Sequence, residues 1–524
     1  MTRFYRTALF LVALLPSRLW PAEFSSGILT PKPLVEARIN GPKVYGARPG
    51  HPFLYRIPCT GERPVHFAAQ RLPPSLNLDP NTGIITGRTP DKPGVYEVML
   101  TAANSKGKNS RPFRIVVGDA LALTPPMGWN DWYSFYDHVS DKVLRQAADA
   151  MISSGMADFG YQYVNIDDAW AMKPGSNVPE LSGEPRDPQG AIRPNGRFPD
   201  MKALADYIHA KGLKAGLYTS PGPLTCANFT GSYQHEEIDA RTFAAWGFDF
   251  LKYDWCSYGS VAPQKLTLDD HRKPFELMGE ILKKLDRDIV FNLCQYGMSN
   301  VWTWGADAGG NSWRTTGDLG MEKGSRLPGF FSVGFTNARY SSYAGPGHWN
   351  DPDYLLIGAV GNAFHYDQPP TPTSLTPEEQ YSYMSMWVLM AAPLFFGGDM
   401  ASLDDFTLGI LCNSEVIDID QDALGWQARV SRQTADEFIL EKPLEDGAVA
   451  VGLFNLSETA RKMTTSLTEL GLSGSQSVRD LWRQTETGKV SHEFSAEIPR
   501  HGVTLVRFSP MSIGKSVLPE VKKQ

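Results

Sequence analysis

Between residues 123 and 424, short apolar segments of strand length alternate with longer segments of helical periodicity. The segments with the composition of buried strands are 127–130, 161–168, 213–220, 248–254, 289–295, 312–318, 347–353 and 393–399. Helical patterns occupy 141–155, 201–212 and 240–247, and each ends at or next to a glycine, as helices often do. Eight strands that alternate with helices over about 300 residues predict an α/β fold, the (β/α)8 TIM barrel.

Shorter β-rich patterns flank this predicted barrel, which we place at 122–424. Residues 40–118 contain brief apolar runs separated by proline, glycine and asparagine turns, and 72–105 resembles the immunoglobulin-like modules of bacterial surface and secreted proteins. This resemblance predicts an N-terminal Ig-like β-sandwich and says little about function, because such sandwiches serve as spacers, docking modules and binders alike. Residues 425–510 predict a C-terminal antiparallel β-sandwich.

The N-terminus has the features of an export signal. Arg3 and Arg6 precede an apolar run at 8–15, and small residues near Ala22 offer a cleavage site. The pattern predicts a signal peptide at 1–22 and a periplasmic or extracellular protein, with a disordered or buried N-terminal stretch as the alternative. The run is too short for a stable membrane anchor, so we expect no membrane span after cleavage. Export would place the five cysteines where they can pair.

Composition limits the partners. The formal net charge of -7 argues against nucleic acid or an anionic membrane as the main partner. Charged residues make up 20% and hydrophobic residues 42% of the chain, as in soluble globular proteins. We expect no cofactor and no metal, and the sequence does not specify an oligomeric state.

Two aspartates at the ends of predicted strands suggest glycoside chemistry. Asp254 ends the segment 248–254, and Asp318 ends 312–318. Burying a carboxylate at a strand end is costly, and the ends of barrel strands are where catalysis occurs. A retaining glycosidase needs a nucleophile and an acid/base about 5–5.5 Å apart. Asp254 suits the nucleophile, since nearby Lys252 would lower its pKa, and Asp318 suits the acid/base. Alternatively, each aspartate caps a following helix.

Sugar recognition requires further polar and aromatic groups. The adjacent carboxylates Asp167 and Asp168 would accept hydrogen bonds from sugar hydroxyls, and a metal site is the competing interpretation. Other candidates near strand ends are Lys252, Arg314, Trp129, Trp170 and Tyr218. Each aromatic residue alone is equally explained by packing in the core.

Several motifs, in order from about residue 122 to 425, together resemble glycoside hydrolase family 27, the family of α-galactosidases and α-N-acetylgalactosaminidases. They are TPPMGWNDW (124–132), YVNIDDAW (163–170), the stretch from SPGPLTC to FLKYDWC (220–256), WRTTGD (313–318), GHWNDPDYL (347–355) and EVIDIDQDALG (415–425). The resemblance implies a retaining double displacement, and a C-terminal β-sandwich where the sequence predicts one.

The resemblance also implies roles for individual residues. Asp254 is then the nucleophile and Asp318 the acid/base. The implied sugar contacts are Trp129, Asp167, Asp168, Tyr218, Lys252 and Arg314. A disulfide is implied between Cys226 and Cys256, whereas Cys294 is expected to be free. Two positions depart from the family pattern near the site: Gln295, where glutamate is common, and Trp255, which is bulkier than usual and therefore a candidate for unusual specificity.

Intact Asp168 favours terminal α-D-galactosyl residues of oligosaccharides or polysaccharides as the substrate. The alternatives within the family are α-N-acetylgalactosaminides, β-L-arabinopyranosides and release of isomaltose. Two hypotheses from other classes remain. The chain would be an inactive carbohydrate-binding protein, or a metal-dependent barrel enzyme that uses Asp167 and Asp168 as ligands.

Overall fold

The computed structural model describes residues 27–319, 326–360 and 370–511, so the predicted signal peptide at 1–22 lies outside the described residues. The N-terminal strands are β1 (Arg38–Ile39), β2 (Val44–Ala47), β3 (Pro52–Arg56), β4 (Cys59–Thr60), β5 (His66–Gln70), β6 (Leu76–Leu78), β7 (Ile84–Arg88), β8 (Gly94–Ala103) and β9 (Lys108–Val117). One sheet has the order β2-β9-β8-β5, a second has β3-β7-β6, and β1 pairs with β4.

The sheets of this N-terminal module enclose a separate apolar core. Alternate residues of the long hairpin β8–β9, such as Leu100, Phe113 and Ile115, are buried between them. Tyr55 stacks on Phe113 with ring centroids 4.7 Å apart. This period-two burial is that of a β-sandwich, so the predicted Ig-like fold is confirmed.

The central domain is built on parallel strands. They are β10 (Met127–Asn130), β11 (Tyr163–Asn165), β12 (Lys214–Thr219), β13 (Phe250–Asp254), β14 (Val290–Cys294), β15 (Ser312–Arg314), β16 (Trp349–Asp351) and β17 (Leu394–Phe396). Each pairs with its neighbour in the sequence, and β10 also pairs with β17. A parallel bridge from Leu355 to Phe396 joins the two ends of the curled sheet. The predicted TIM barrel is confirmed.

Helices surround the sheet, with the bounds α1 (Trp132–Phe135), α2 (Asp141–Ser153), α3 (Met201–His209), α4 (Glu236–Trp246), α5 (Leu268–Lys283), α6 (Gly329–Ala338), α7 (Pro377–Leu389), α8 (Asp405–Leu411) and α9 (Ser414–Asp420). Short 3-10 turns occur at Tyr136–His138, Met156–Phe159, Tyr258–Ser260, Met298–Thr303, Ser341–Tyr343 and Met400–Ser402. The expected glycine ends are present at α4, where Gly247 adopts the left-handed conformation.

The C-terminal strands are β18 (Arg429–Gln433), β19 (Glu437–Pro443), β20 (Val449–Asn455), β21 (Arg461–Ser466), β22 (Gln476–Asp480), β23 (Thr485–Val490), β24 (Glu493–Ile498) and β25 (Val503–Pro510). They form an antiparallel sheet of order β18-β19-β20-β25-β22-β23, covered by the pair β21–β24. Buried side chains such as Met463, Val478 and Phe508 lie between the two, which confirms the predicted C-terminal sandwich.

The N-terminal module contacts the face of the barrel where the strands begin. Arg63 pairs with Asp158 at 2.7 Å, and Asp288 accepts a hydrogen bond from the Arg48 backbone at 3.0 Å. Lys214, the first residue of β12, lies over the Tyr45 ring of the module at 4.5 Å. The carboxyl ends of the strands therefore remain on the opposite face. Within the described residues, the helices are all too short or too polar to cross a membrane.

Candidate active site

Asp254 is the last residue of β13 and is almost completely buried. The Tyr218 hydroxyl, from the neighbouring strand β12, donates a hydrogen bond to Oδ2 of Asp254 at 3.0 Å. The Tyr296 hydroxyl, from the loop after β14, donates to Oδ1 at 2.6 Å. A carboxylate that accepts a hydrogen bond from a phenol at each of its two oxygens is fixed in position, and its charge is partly stabilised.

The pKa of Asp254 is raised to about 6. Burial is the main cause, and the negative charge of Asp318 adds to it. The Lys252 ammonium and the hydrogen bond from Tyr296 act in the opposite direction. The sequence led us to expect a lowered pKa. Lys252 does lower it, but desolvation at the end of a buried strand is the larger effect. Asp254 is still mostly ionised at neutral pH.

Lys252 forms its direct ion pair with Asp167, whose Oδ2 lies 2.8 Å from Nζ. The same oxygen accepts hydrogen bonds from Asn130 at 2.9 Å and from the Tyr354 hydroxyl at 3.1 Å. Burial disfavours the Lys252 ammonium, but Asp167 and the other nearby groups, Asp254 among them, together outweigh burial and raise the lysine pKa. Asp167 is therefore held in a fixed orientation by three donors and can accept a further hydrogen bond at a defined place.

Asp168 lies beside it in a different environment. Its Oδ2 accepts a hydrogen bond from the Ala227 backbone at 2.8 Å, and its Oδ1 from the Ala169 backbone at 2.6 Å. Burial raises the pKa of Asp168 to about 7, in spite of these bonds and one from the Thr225 side chain. Near neutral pH this carboxyl group is present in both forms, so it can accept or donate a hydrogen bond to a sugar hydroxyl.

A third buried carboxyl group, Asp131, supports the pair from behind. Its Oδ1 accepts a hydrogen bond from the backbone of Asp167 at 2.7 Å. Burial, with the nearby charge of Asp167, raises the Asp131 pKa well above the ordinary value. Its Oδ2 has no hydrogen-bond partner within the described part of the chain. Asp131 therefore fixes the backbone turn that presents Asp167 and Asp168.

Strand β15 ends at Arg314 and not at Asp318, so the Asp318 carboxylate lies on the loop that follows this strand. Its side chain is 61% exposed and pairs with Arg314 at 3.2 Å. The guanidinium of Arg314 is buried and also pairs with Asp353 at 3.0 Å. Burial disfavours this guanidinium, but Asp353 and other anions outweigh burial and raise the Arg314 pKa. Asp318 is thus an accessible carboxylate at the rim of the site, and it forms an ion pair with the buried Arg314.

Asp353 anchors this arrangement. Its Oδ2 accepts hydrogen bonds from the Tyr133 hydroxyl and from the backbone of Leu319, each at 2.8 Å, in addition to the Arg314 pair. Leu319 directly follows Asp318, so one carboxylate holds the loop on both sides of the acid/base candidate. Asp353 also has a φ of 81°, a strained conformation for a non-glycine residue that is common at functional sites.

The implied disulfide between Cys226 and Cys256 is present, with Cα atoms 4.9 Å apart. It ties the loop after β12 to the end of β13, and that loop supplies the Ala227 backbone group bound to Asp168. Closing a 30-residue separation stabilises the fold by roughly 3–4 kcal/mol in the chain-entropy model. Cys294 is free and buried, as expected.

The predicted aromatic walls occupy two kinds of position. Tyr218 reaches the carboxylate of Asp254. Trp129 is 0% exposed and donates its indole N–H to the Gly398 carbonyl at 2.8 Å. Trp170 donates to the Tyr218 carbonyl at 2.7 Å and packs edge-on against Trp246 of α4. Both tryptophans thus have the contacts of core residues, and they support the site by fixing the ends of β10 and β12.

The two positions that depart from the family pattern also differ. Gln295 follows β14, is 1% exposed, and neither polar atom of its side chain has a hydrogen-bond partner among the described residues. A buried amide without partners is costly, so Gln295 is a good candidate for a contact that forms with substrate. Trp255 stacks on His271 and Phe275 of α5. Its ring therefore packs outside the barrel, which removes the reason to expect a direct effect on specificity.

The paired aspartates do not resemble a cation site. Asp167 and Asp168 are surrounded by hydrogen-bond donors and by Lys252, which would compete with a metal ion for Asp167. Within the described ranges, Asp254 with Cys226 and Cys256 is the one cluster of at least three metal-binding residue types. Because both cysteines form the disulfide, this cluster has no thiolate ligands.

Sequence reasoning missed Tyr296, Tyr354, Asp353 and Asp131. Asp353 had a usable signal, since it lies two residues after the end of β16 within a predicted strand segment. Asp131 directly follows β10 and had the same signal. The tyrosines had none, because their hydroxyl groups reach the site from loops.

Three regions of the chain match known families. Residues 124–422 match the family model described as alpha galactosidase A, 439–508 match the alpha galactosidase C-terminal beta sandwich domain, and 38–118 match the model described as "Putative Ig domain". An α-galactosidase of Cyamopsis tetragonoloba is 40% identical over 417 residues, which cover 79% of this chain and 92% of the relative.

Solved structures are similar as well. A Bacteroides fragilis protein described as a "putative alpha-galactosidase/melibiase" has a TM-score of 0.83 and 36% identity, and the match covers 92% of this chain and 99% of that chain. A β-L-arabinopyranosidase of Geobacillus stearothermophilus has a TM-score of 0.65 and 26% identity, and the match covers 76% of this chain and 98% of that chain. The similarity is thus greater to the protein described as an α-galactosidase, and with that protein it extends over nearly all of this chain.

Proposed function

The chain belongs to the alpha galactosidase A family and is an α-galactosidase, and we propose that Asp254 and Asp318 carry out its reaction by double displacement. The observation that carries this proposal is the environment of Asp254. It is a buried carboxylate at the carboxyl end of a barrel strand, held by two tyrosine hydroxyls and electrostatically coupled to the accessible Asp318. An ionised, fixed carboxylate beside a second, exposed one is what retaining glycoside hydrolysis requires.

In the first step, an oxygen of Asp254 forms a bond to the anomeric carbon of the galactosyl residue. The bond from that carbon to the leaving oxygen breaks, and protonated Asp318 gives its proton to this oxygen. Arg314 and the Leu319 backbone keep the Asp318 loop in place, because both are bound to Asp353. The product of this step is a covalent galactosyl-enzyme.

In the second step, Asp318 is the base. It removes a proton from a water molecule, whose oxygen bonds to the anomeric carbon, and the ester bond to Asp254 breaks. Asp254 recovers its electron pair as a carboxylate, and the sugar leaves with its original α configuration. The 61% exposure of Asp318 suits this role, because water and the leaving group both need access to it.

We further propose that the substrates are oligosaccharides or polysaccharides with terminal α-D-galactosyl residues. Asp167, Asp168 and Lys252 provide polar partners for sugar hydroxyls, and the family's aspartate is retained at position 168. The similarity to a β-L-arabinopyranosidase makes that sugar, which lacks the hydroxymethyl group of galactose, the second candidate. The Gln295 amide has no hydrogen-bond partner among the described residues, so it is a candidate contact for the sugar substituent that the sequence left open, including an N-acetyl group.

The decisive experiment combines substrate comparison with chemical rescue. Turnover should be highest on 4-nitrophenyl α-D-galactoside, compared with the corresponding α-N-acetylgalactosaminide and β-L-arabinopyranoside. Proton NMR should show the α-anomer of galactose as the first product. In Asp254→Ala, added azide should give β-galactosyl azide, and in Asp318→Ala it should give α-galactosyl azide. A β-anomer as the first product, or wild-type turnover in Asp254→Ala, would disprove the mechanism.

We also propose that the protein is exported to the periplasm or the extracellular medium. The charged and apolar pattern of residues 1–22 and the disulfide Cys226–Cys256 support this location. Cell fractionation with N-terminal sequencing of the mature protein should find it outside the cytoplasm, with a new N-terminus close to Ala22. An intact N-terminus on protein found in the cytoplasm would contradict the proposal.

A further inference from the structure

Tyr296 makes the shortest contact to the proposed nucleophile among the described residues. Its hydroxyl donates to Oδ1 of Asp254 at 2.6 Å, whereas Tyr218 donates to Oδ2 at 3.0 Å. The two hydroxyls therefore donate hydrogen bonds to different oxygens of one carboxylate. Tyr218 comes from a regular strand, but Tyr296 comes from an irregular loop, so its position needs its own explanation.

The backbone at Tyr296 is strained. Tyr296 has a φ of 63°, and the next residue, Gly297, has a φ of 80°. A Cβ atom at position 297 would lie 2.4 Å from the carbonyl oxygen of Thr315, which directly follows β15. Two consecutive left-handed residues thus press this turn against the end of the strand that leads to Asp318. Strain of this kind in a non-glycine residue persists only where the surroundings enforce it, and it is concentrated at functional sites.

The disulfide supports the other side of the tyrosine. The Tyr296 hydroxyl lies 3.6 Å from the sulfur of Cys226 and 3.9 Å from that of Cys256. Its partners are therefore the nucleophile and a rigid cross-link. A phenol with these neighbours is restricted in its motion and keeps its hydrogen directed at the carboxylate.

We propose that Tyr296 is a further catalytic residue, which donates its hydrogen bond to Asp254 and stabilises this group whenever it carries negative charge. The inference rests on the proposed function, because it requires Asp254 to be the nucleophile. Burial opposes the charge on Asp254, and the bond from Tyr296 counteracts that effect. Tyr296 thus keeps the free enzyme in the ionised form that can attack the sugar.

The same bond affects the two chemical steps in opposite ways. In the first step Asp254 loses its charge as it bonds to the anomeric carbon, so the hydrogen bond from Tyr296 weakens. In the second step the ester bond breaks and the charge returns to Asp254, so the bond strengthens. Tyr296 therefore accelerates release of the sugar from the enzyme more than its attachment.

The test compares Tyr296→Phe with wild type and with the control Tyr258→Phe. Tyr258 packs on Trp255 at 4.9 Å, and its hydroxyl can be removed without touching Asp254. In Tyr296→Phe, the acidic limb of kcat/KM should move to higher pH by about 0.5–1 unit, because a hydrogen bond to a charged group is lost. The kcat on 4-nitrophenyl α-D-galactoside should fall about 10-fold, with a burst of nitrophenol that shows accumulation of galactosyl-enzyme. Tyr258→Phe should match wild type.

The outcomes separate this inference from the proposed function. The midpoint of a pH profile does not depend on the amount of folded enzyme, so partial misfolding of Tyr296→Phe would not obscure a shift. A uniform loss of Tyr296→Phe activity at every pH, without a pH shift or a burst, would mean that Tyr296 only shapes the loop. This result would overturn the inference. The proposed function would still stand if Asp254→Ala is inactive. Wild-type turnover in Asp254→Ala would overturn both.

Discussion

Strand β13 has a buried aspartate at each end, and the two have opposite properties. Asp249, directly before the strand on the floor of the barrel, accepts hydrogen bonds from Arg287 at 2.6 Å, His209 at 2.8 Å and the Ala215 backbone at 3.0 Å. Burial raises its pKa, but Arg287 and His209 outweigh burial and lower it to about 2. Asp254, at the other end, has a pKa of about 6.

The difference lies in the donors, since both carboxyl groups are buried. Asp249 has the Arg287 guanidinium and the His209 ring as direct partners, so its charge is well compensated and contributes to stability. Among the described residues, the hydrogen bonds to Asp254 shorter than 3.5 Å come from two neutral hydroxyls, because Lys252 pairs with Asp167. In the proposed mechanism, its remaining charge is available to attack the sugar. The proposed function thus depends on a buried charge that the protein leaves partly uncompensated.

The largest expected effect on stability comes from Asp249→Asn. This change leaves the partly buried guanidinium of Arg287 beside a neutral amide and should lower the free energy of unfolding by about 3 kcal/mol, with kcat per folded molecule unchanged. Urea denaturation at pH 7 measures the first quantity, and active-site titration the second. A stable variant that has lost its activity would reverse the roles assigned to the two ends of β13.

Asp353→Asn sharpens the comparison at the active end. Asp353 resembles Asp249 in having several donors, but it holds Arg314 and the loop of Asp318. We expect kcat/KM to fall about 100-fold, because loss of its charge releases Arg314 and misplaces Asp318, the proposed acid/base. Stability should fall less than in Asp249→Asn. The measurement is the ratio of variant to wild-type kcat/KM, on a substrate with a good leaving group and on one with a poor leaving group. If the two ratios are the same, the proposed acid/base is unaffected.

Asp254→Asn should increase stability at neutral pH. The folded pKa of about 6 lies above the ordinary value of 3.8, so the fold disfavours the ionised form. The contribution of protonated Asp254 to the free energy of unfolding is fully present below pH 3.8. This contribution is lost as the pH rises through 6 and the group ionises. Asparagine cannot ionise, so the variant should be more stable than wild type by about 1–3 kcal/mol at pH 7.5. Thermal unfolding should show no such difference at pH 4.

The smallest expected effect concerns the floor. Lys214 is buried against Tyr45, and burial lowers its pKa from 10.5 to about 8. The charged form is therefore disfavoured in the fold, and stability falls as the pH drops from 10.5 through 8. Lys214→Met removes a disfavoured charge but also the contact of Nζ with the Tyr45 ring. The net effect should be a rise of about 1–2 kcal/mol in the free energy of unfolding at pH 7. Denaturation at pH 7 and pH 10 should show this gain shrinking at the higher pH.

Most of the fold was accessible from the sequence, because buried parallel strands leave continuous apolar runs of recognisable length. β12, β13 and β14 all lie inside their predicted segments. The prediction for 312–318 was less accurate: β15 ends at Arg314, and the polar run after it forms the loop of Asp318. Composition predicts that a strand exists more reliably than it predicts where the strand ends, because hydrogen bonds to neighbouring strands decide the end.

By itself, the sequence determined the barrel, its two flanking sandwiches and the presence of Asp254 at a strand end. The reason is that strand periodicity and parallel order bring the carboxyl ends of all strands to one face. Only the tertiary structure decided what surrounds that carboxylate. It paired Lys252 with Asp167, brought Tyr296 to Asp254 from a loop 42 residues away, and turned Trp255 outward onto α5. Those contacts join residues far apart in the chain, so packing and loop conformation determine them, and local sequence does not.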